Sequence, residues 1–212
     1  MNEIVQKIFQ GIVDGQQDLV AETVEAALQA GVPARTILDE GMLAAMAEVG
    51  RQFEANECYV PEMLISARAM KAGLAKLQPS LKQMDVQAAG KVAVGTVKGD
   101  LHDMGKNLVG MMLEGAGFTV KDLGVDVSPE AFVAAADDVD VIGLSALLTT
   151  TMGQMKTTLD ALDAAGKRPK VKVIVGGAPV TEDFARHIGA DGYAPNASRA
   201  VALAKSFIFP SK

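Results

Sequence analysis

From Lys91 onward, short apolar runs alternate with stretches of helical period, and this alternation constrains the fold more than any other feature. The runs are 92–97, 118–123, 139–146, 171–175 and a short one near 192–194. Strands joined by helix-length connections lie parallel, because the chain must cross back over the sheet. The pattern predicts a five-stranded parallel sheet covered by helices. In such sheets ligands bind beyond the carboxyl ends of the strands, where the strand order reverses.

The first third reads differently. Ile4, Val5, Ile8, Phe9, Ile12 and Val13 form one helical stripe, with Gly15 as its stop. A second helix is expected over 17–30, ending at Gly31, and a third from Pro33 to about Glu54. A fourth is expected over 61–77, with Leu64, Ala67, Met70 and Leu74 inward. Short connections make these antiparallel neighbours, a four-helix bundle over 1–78 in which Met42, Met46, Met63 and Met70 are mostly core. Residues 79–90 gather proline, serine and glycine and read as a linker to a domain over 91–212.

Composition removes several function classes. A formal net charge of −6 without a basic cluster argues against a nucleic-acid surface. One cysteine, Cys58, rules out a multi-cysteine metal site, and two histidines, His102 and His187, rule out a multi-histidine one. The amino terminus mixes charges among its apolar residues, unlike a secretory signal, and no apolar run reaches membrane-spanning length. The expected location is a reducing cytoplasm, with no membrane partner.

The chemistry is expected in Lys91–Asn107, KVAVGTVKGDLHDMGKN, where a strand-like run breaks at Gly99 and a polar loop precedes a helical segment from Met104. Asp100, two residues before His102, can accept a hydrogen bond from one ring nitrogen while the other faces a metal. Taken alone, His102 fits equally well a ligand and a polar residue at a helix start.

The run Asp100-Leu101-His102-Asp103-Met104-Gly105 matches the Asp-x-His-x-x-Gly motif of corrinoid-binding domains, and the longer stretch 97–107 resembles their methyl-transferring branch. The resemblance implies a flavodoxin-like, Rossmann-type domain binding cobalamin, with His102 as the lower axial ligand of cobalt in place of the cofactor's own base. Asp100, Asp103, Met104 and Gly105 then surround that ligand. By the same resemblance Ser145, Leu147 and Thr149 line the nucleotide-tail pocket. Thr151 replaces a usual serine in the Asp–His hydrogen-bond chain, where its methyl group is a possible crowding element. Gly176 and Gly177 let the tail pass close to the main chain, and Tyr193 and Ala194 lie near its end. The segment FEANECYVP resembles the helical cap of the methionine-synthase type, placing Phe53 and Val60 where an apolar pair covers the upper face of cobalt.

The implied function is that of a corrinoid protein of an anaerobic methyltransferase system, not catalytic by itself. It would carry a methyl group on cobalt, as methylcobalamin when loaded, from a substrate-specific methyltransferase to a second methyltransferase with a tetrahydrofolate or thiol acceptor. A reductive activator would be a further partner. The alternatives are the corrinoid subunit of an adenosylcobalamin mutase, which the preceding helices argue against, and a corrinoid sensor or storage module. A phosphate-binding domain of the same fold would call for a G-x-G-x-x-G or P-loop signature, which the sequence lacks.

Overall fold

A computed structural model of the chain describes residues 2–83 and 89–209. They divide into a helical unit and an α/β unit.

Among the described residues, four helical rods make up the helical unit. Helix α1, Glu3–Val13, starts where the Asn2 side-chain oxygen accepts the Ile4 N–H at 3.2 Å, and buries Val5, Ile8 and Ile12. Helix α2, Gln17–Gln29, buries Val20, Val24 and Ala27. The third rod changes winding along its length: α3 (Ala34–Thr36) passes into a π-helix (Ile37–Leu43) and then α4 (Ala44–Glu54). Gly41 lies in the π-wound stretch against α1, where an added Cβ would stand 3.3 Å from Val5 and 3.5 Å from Ile8. Its missing side chain therefore sets how closely the two helices pack.

Helix α5, Val60–Gln83, departs from the expected 61–77. Its centre line is Met63, Met70 and Leu77, all fully buried, with Leu64 and Leu74 on the flanks. It also runs on through Pro79, so residues 79–83 are helical instead of linker. Proline removes one helical hydrogen bond and crowds the carbonyl four residues back. Here that carbonyl belongs to Ala75, an exposed residue beside which water can take the lost bond. Residues 84–88 of the expected linker lie outside the described residues. The four bundle methionines Met42, Met46, Met63 and Met70 are core.

The α/β unit holds a fully parallel five-stranded sheet in the order β2-β1-β3-β4-β5, the flavodoxin-like arrangement. Its strands are β1 (Lys91–Thr96), β2 (Thr119–Asp122), β3 (Val141–Ser145), β4 (Lys172–Gly176) and β5 (Gly192–Tyr193). Helices α6 (Met104–Gly115), α7 (Pro129–Ala135), α8 (Gly153–Ala164), α9 (Glu182–Ile188) and α10 (Ala197–Ile208) alternate with them. Thr96 pairs with Ser145 and Ser145 with Gly176, so β1, β3 and β4 end level. The order reverses between β1 and β3, and the loops after these two strands share one edge. Beneath it, Gly95 makes room for the buried Phe132 ring, which an added Cβ would approach to 2.7 Å. Among the described residues no helix is long and apolar enough to cross a membrane.

Candidate functional site

The loop after β1 is pinned before it reaches His102. The Val97 N–H reaches the Ser145 carbonyl at 3.0 Å, extending the ladder past the strand end. Gly99, at φ 80°, then turns the chain in a conformation that favours glycine. Its N–H donates to Asp126 Oδ1 at 2.6 Å, and the Asp126 N–H donates to the Asp100 carbonyl at 3.0 Å. From below, the buried Thr96 hydroxyl donates to the His102 carbonyl at 2.8 Å.

Asp100 has no solvent-exposed surface, yet both carboxylate oxygens are fully engaged. Oδ1 faces His102 Nδ1 at 2.7 Å and the His102 N–H at 3.1 Å. Oδ2 accepts from the Thr151 hydroxyl at 2.7 Å and from the N–H groups of Leu147 at 2.8 Å and Leu148 at 3.2 Å. The Thr151 hydroxyl also lies 2.9 Å from the Leu148 carbonyl, but its one proton goes to the charged acceptor. Burial by itself would push the Asp100 pKa up. The hydrogen bonds from Thr151, His102 and Leu147 outweigh it and hold the group well below the usual carboxylate range.

An ionised Asp100 at Nδ1 assigns the ring proton to that nitrogen and leaves the lone pair on Nε2. The imidazole is half exposed. Around it stand apolar side chains that the fold leaves uncovered: Leu101 is 70% exposed and Met104 83%, with Leu147 and Leu148 exposed from the loop after β3. Met104 sits on the open first turn of α6. Gly105 follows it, and a Cβ added there would meet nothing within 4 Å. With no close neighbour and no left-handed φ, the chain's own packing supplies no reason for glycine at that position. Among the described residues no group of three or more His, Cys, Asp or Glu could hold a metal ion.

The remaining expected residues divide. Ser145 closes β3 and Ala194 follows the end of β5 at this edge, while Thr149 is exposed on the turn after β3 and Tyr193 packs against the sheet core. The Thr151 hydroxyl reaches Asp100, and its methyl group lies 3.7 Å from where a Gly99 Cβ would stand. Gly177 is required by the fold: at φ 132°, an added Cβ would stand 1.9 Å from the Ala146 carbonyl oxygen. A Gly176 Cβ would come within 2.7 Å of the Ala194 carbonyl oxygen. The pair thus first serves close approach of neighbouring strand ends. In the helical unit, Phe53 is partly buried near the end of α4, while Tyr59 and Val60 are exposed where α5 begins. The Tyr59 N–H there is capped by Glu62 Oε2 at 2.6 Å. His187 lies on the surface of α9, and Cys58 is buried.

Residues that local pattern did not disclose are Thr96, Asp126 and the buried Lys106. Asp126 and Lys106 act across elements distant in sequence, at separations of 27 and 16 residues, while Thr96 reaches six residues along into the loop after its own strand. The available signal was a charged residue in the first turn of an otherwise apolar helix for Lys106, and a polar strand end for Thr96.

The B12 binding domain family matches residues 90–202, and a second B12 binding domain family matches residues 4–78. The chain belongs to the B12-binding corrinoid proteins. It is 40% identical over 210 residues to a corrinoid protein of Desulfitobacterium hafniense, covering 97% of both chains. It is 42% identical over 209 residues to dimethylamine corrinoid protein 1 of Methanosarcina mazei, covering 97% of this chain and 96% of the other. Its fold matches a chain of the methanol:cobalamin methyltransferase complex of Methanosarcina barkeri with TM-score 0.87 and 30% identity, covering 100% of this chain and 81% of that one.

The observed site suits a corrinoid. A wide, largely apolar ring needs an apolar seat, one axial donor and main chain it can approach closely. The exposed leucines with Met104, the Nε2 lone pair of His102, and Gly105 supply those three features.

Proposed function

We propose that this corrinoid protein is a methyl carrier: it receives a methyl group at a substrate-specific methyltransferase and delivers it to a second methyltransferase acting on tetrahydrofolate or a thiol. A reductive activator restores it after oxidation. The observation that carries the reading is His102 itself, a half-exposed imidazole with Nδ1 held by a fully buried carboxylate, in a loop whose Leu101 and Met104 are exposed. When bound, the corrinoid would supply a cobalt centre able to accept a methyl group and release it to an acceptor. The protein binds, orients and shields.

In this reading His102 Nε2 would hold the cobalt of the bound corrinoid. Asp100 holds the Nδ1 proton and fixes the ring plane, and Thr151 and the Leu147 N–H keep Asp100 ionised. Leu147 and Met104, with Asp103 and Gly105 at the start of α6, bound the ring seat. Ser145, Thr149, Gly176, Gly177, Tyr193 and Ala194 form the path of the nucleotide tail along the carboxyl edge. Phe53 and Val60 are the shielding residues of the helical unit. The separate family matches to 4–78 and 90–202 support a functional division into a cap over 1–78, whose last helix runs on to Gln83, and a corrinoid module over 91–212.

The test is anaerobic. Protein reconstituted with cobalamin, reduced and offered radiolabelled methyl iodide is separated from free cofactor, for wild type and His102→Ala. Label on the wild-type holoprotein, with an absorption spectrum changed by the substitution, is the expected result. Tight cobalamin binding without label uptake would favour a storage role instead.

A further inference from the structure

We propose that Lys106 is a positioning residue for His102, acting through a polar chain that ties the start of α6 to the end of β2. The proposal rests on the reading of His102 as the axial donor. Lys106 is in the first turn of α6 and only 3% exposed. Its ammonium group donates to both oxygens of Asp122, at 2.7 and 2.8 Å, and to Asn107 Oδ1 at 2.7 Å. Asn107 turns its amide N–H to Asp103 Oδ2 at 3.1 Å, and its backbone N–H meets the Asp103 carbonyl at 2.8 Å. Asp103 stands between His102 and Met104, the first residue of α6. Asp122 is itself braced by the Gly124 N–H at 2.8 Å.

The chain Asp122–Lys106–Asn107–Asp103 therefore ends one peptide from His102. Asp100 and Thr96 fix the histidine on its amino-terminal side and from below, and this chain fixes it on its carboxyl-terminal side. Stability alone does not account for the lysine. A buried cation whose partner carboxylate is half exposed gains little over an apolar residue of the same length, because desolvation offsets the attraction. What the ammonium group provides is direction: three donors that lock two elements in one relation. An axial donor needs that precision, since ligand geometry tolerates displacements of only about 0.5 Å.

The test uses full-length protein labelled with nitrogen-15 histidine, loaded with cobalamin and reduced to cobalt(II). Electron paramagnetic resonance then reads the fraction of cobalt split by a histidine nitrogen, and the label separates that signal from the cofactor's own base. Lys106→Met is expected to retain cobalamin but lower this fraction at least threefold, and Lys106→Arg to restore most of it. If Lys106→Met does not yield folded protein, Asn107→Ala, which leaves the Lys106–Asp122 pair intact, is expected to show the same loss. Loaded variants with the wild-type fraction overturn the proposal and leave the His102 reading intact. Absence of histidine splitting in wild type overturns both.

Discussion

Thr151 gives its single hydroxyl proton to Oδ2 of Asp100 at 2.7 Å, the oxygen opposite the one that faces His102. A residue 51 positions further along the chain thus completes the shell of the carboxylate that orients the imidazole. Thr151→Val should leave that oxygen with backbone donors only and cost about 1–3 kcal/mol, the usual effect of removing a buried bond to a charged group. Thr151→Ser should recover most of it. Urea unfolding of the three proteins measures the difference.

Asp100 also predicts a pH dependence. Burial opposes its charge, but the hydrogen bonds from Thr151, His102 and Leu147 dominate, and its native pKa lies below the unfolded value. A depressed carboxylate contributes stability that is complete above the unfolded pKa of about 4 and is lost as pH falls through the lower native value. Asp100→Asn should therefore be less stable than wild type at neutral pH, and the gap should narrow below about pH 4. Unfolding free energies across that range decide it, and a constant gap would contradict the assignment.

Two glycines should behave oppositely. Gly177→Ala forces a Cβ to 1.9 Å from the Ala146 carbonyl oxygen at a left-handed φ, and should cost more than about 4 kcal/mol or prevent folding. Gly105→Ala meets nothing within 4 Å and should stabilise the cofactor-free protein by about 0.5–1 kcal/mol through helix propensity. The same change should weaken cobalamin binding, because the methyl group enters the ring seat. Thermal melts and equilibrium titration separate the two effects.

Asp126 holds a left-handed φ of 53° while accepting the Gly99 N–H. Asp126→Asn keeps both the acceptor and a residue type that tolerates that conformation. Asp126→Ala keeps neither and should lose about 1–2 kcal/mol, with the asparagine variant within about 0.5 kcal/mol of wild type. Chemical denaturation of both variants is the measurement.

Leu147 and Leu148 are exposed leucines beside His102, and they separate binding from folding. Leu147→Ser should leave the unfolding free energy within about 0.5 kcal/mol, as for most exposed positions, while raising the Kd for cobalamin severalfold. A loss of stability instead would assign Leu147 to the fold.

Much of this protein was legible in local sequence. Parallel strands, the break at Gly99 and the Asp100–His102 pair all depend on residues within a few positions of one another, and short-range periodicity reports such relations directly. The five apolar runs accordingly correspond to β1 through β5, with ends displaced by one or two residues. Tertiary structure alone decided the rest. That Asp126 would brace Gly99, that Thr151 would reach Asp100, and that Lys106 would find Asp122 follow from which strand ends become neighbours, and the order β2-β1-β3-β4-β5 has no local signature. Gly177 looked like a residue for ligand approach because the Ala146 carbonyl oxygen that excludes any side chain there belongs to the neighbouring strand's loop. Helix α5 ran past Pro79 because the cost of proline depends on whether water can reach the carbonyl it abandons, and burial is a property of the packed chain.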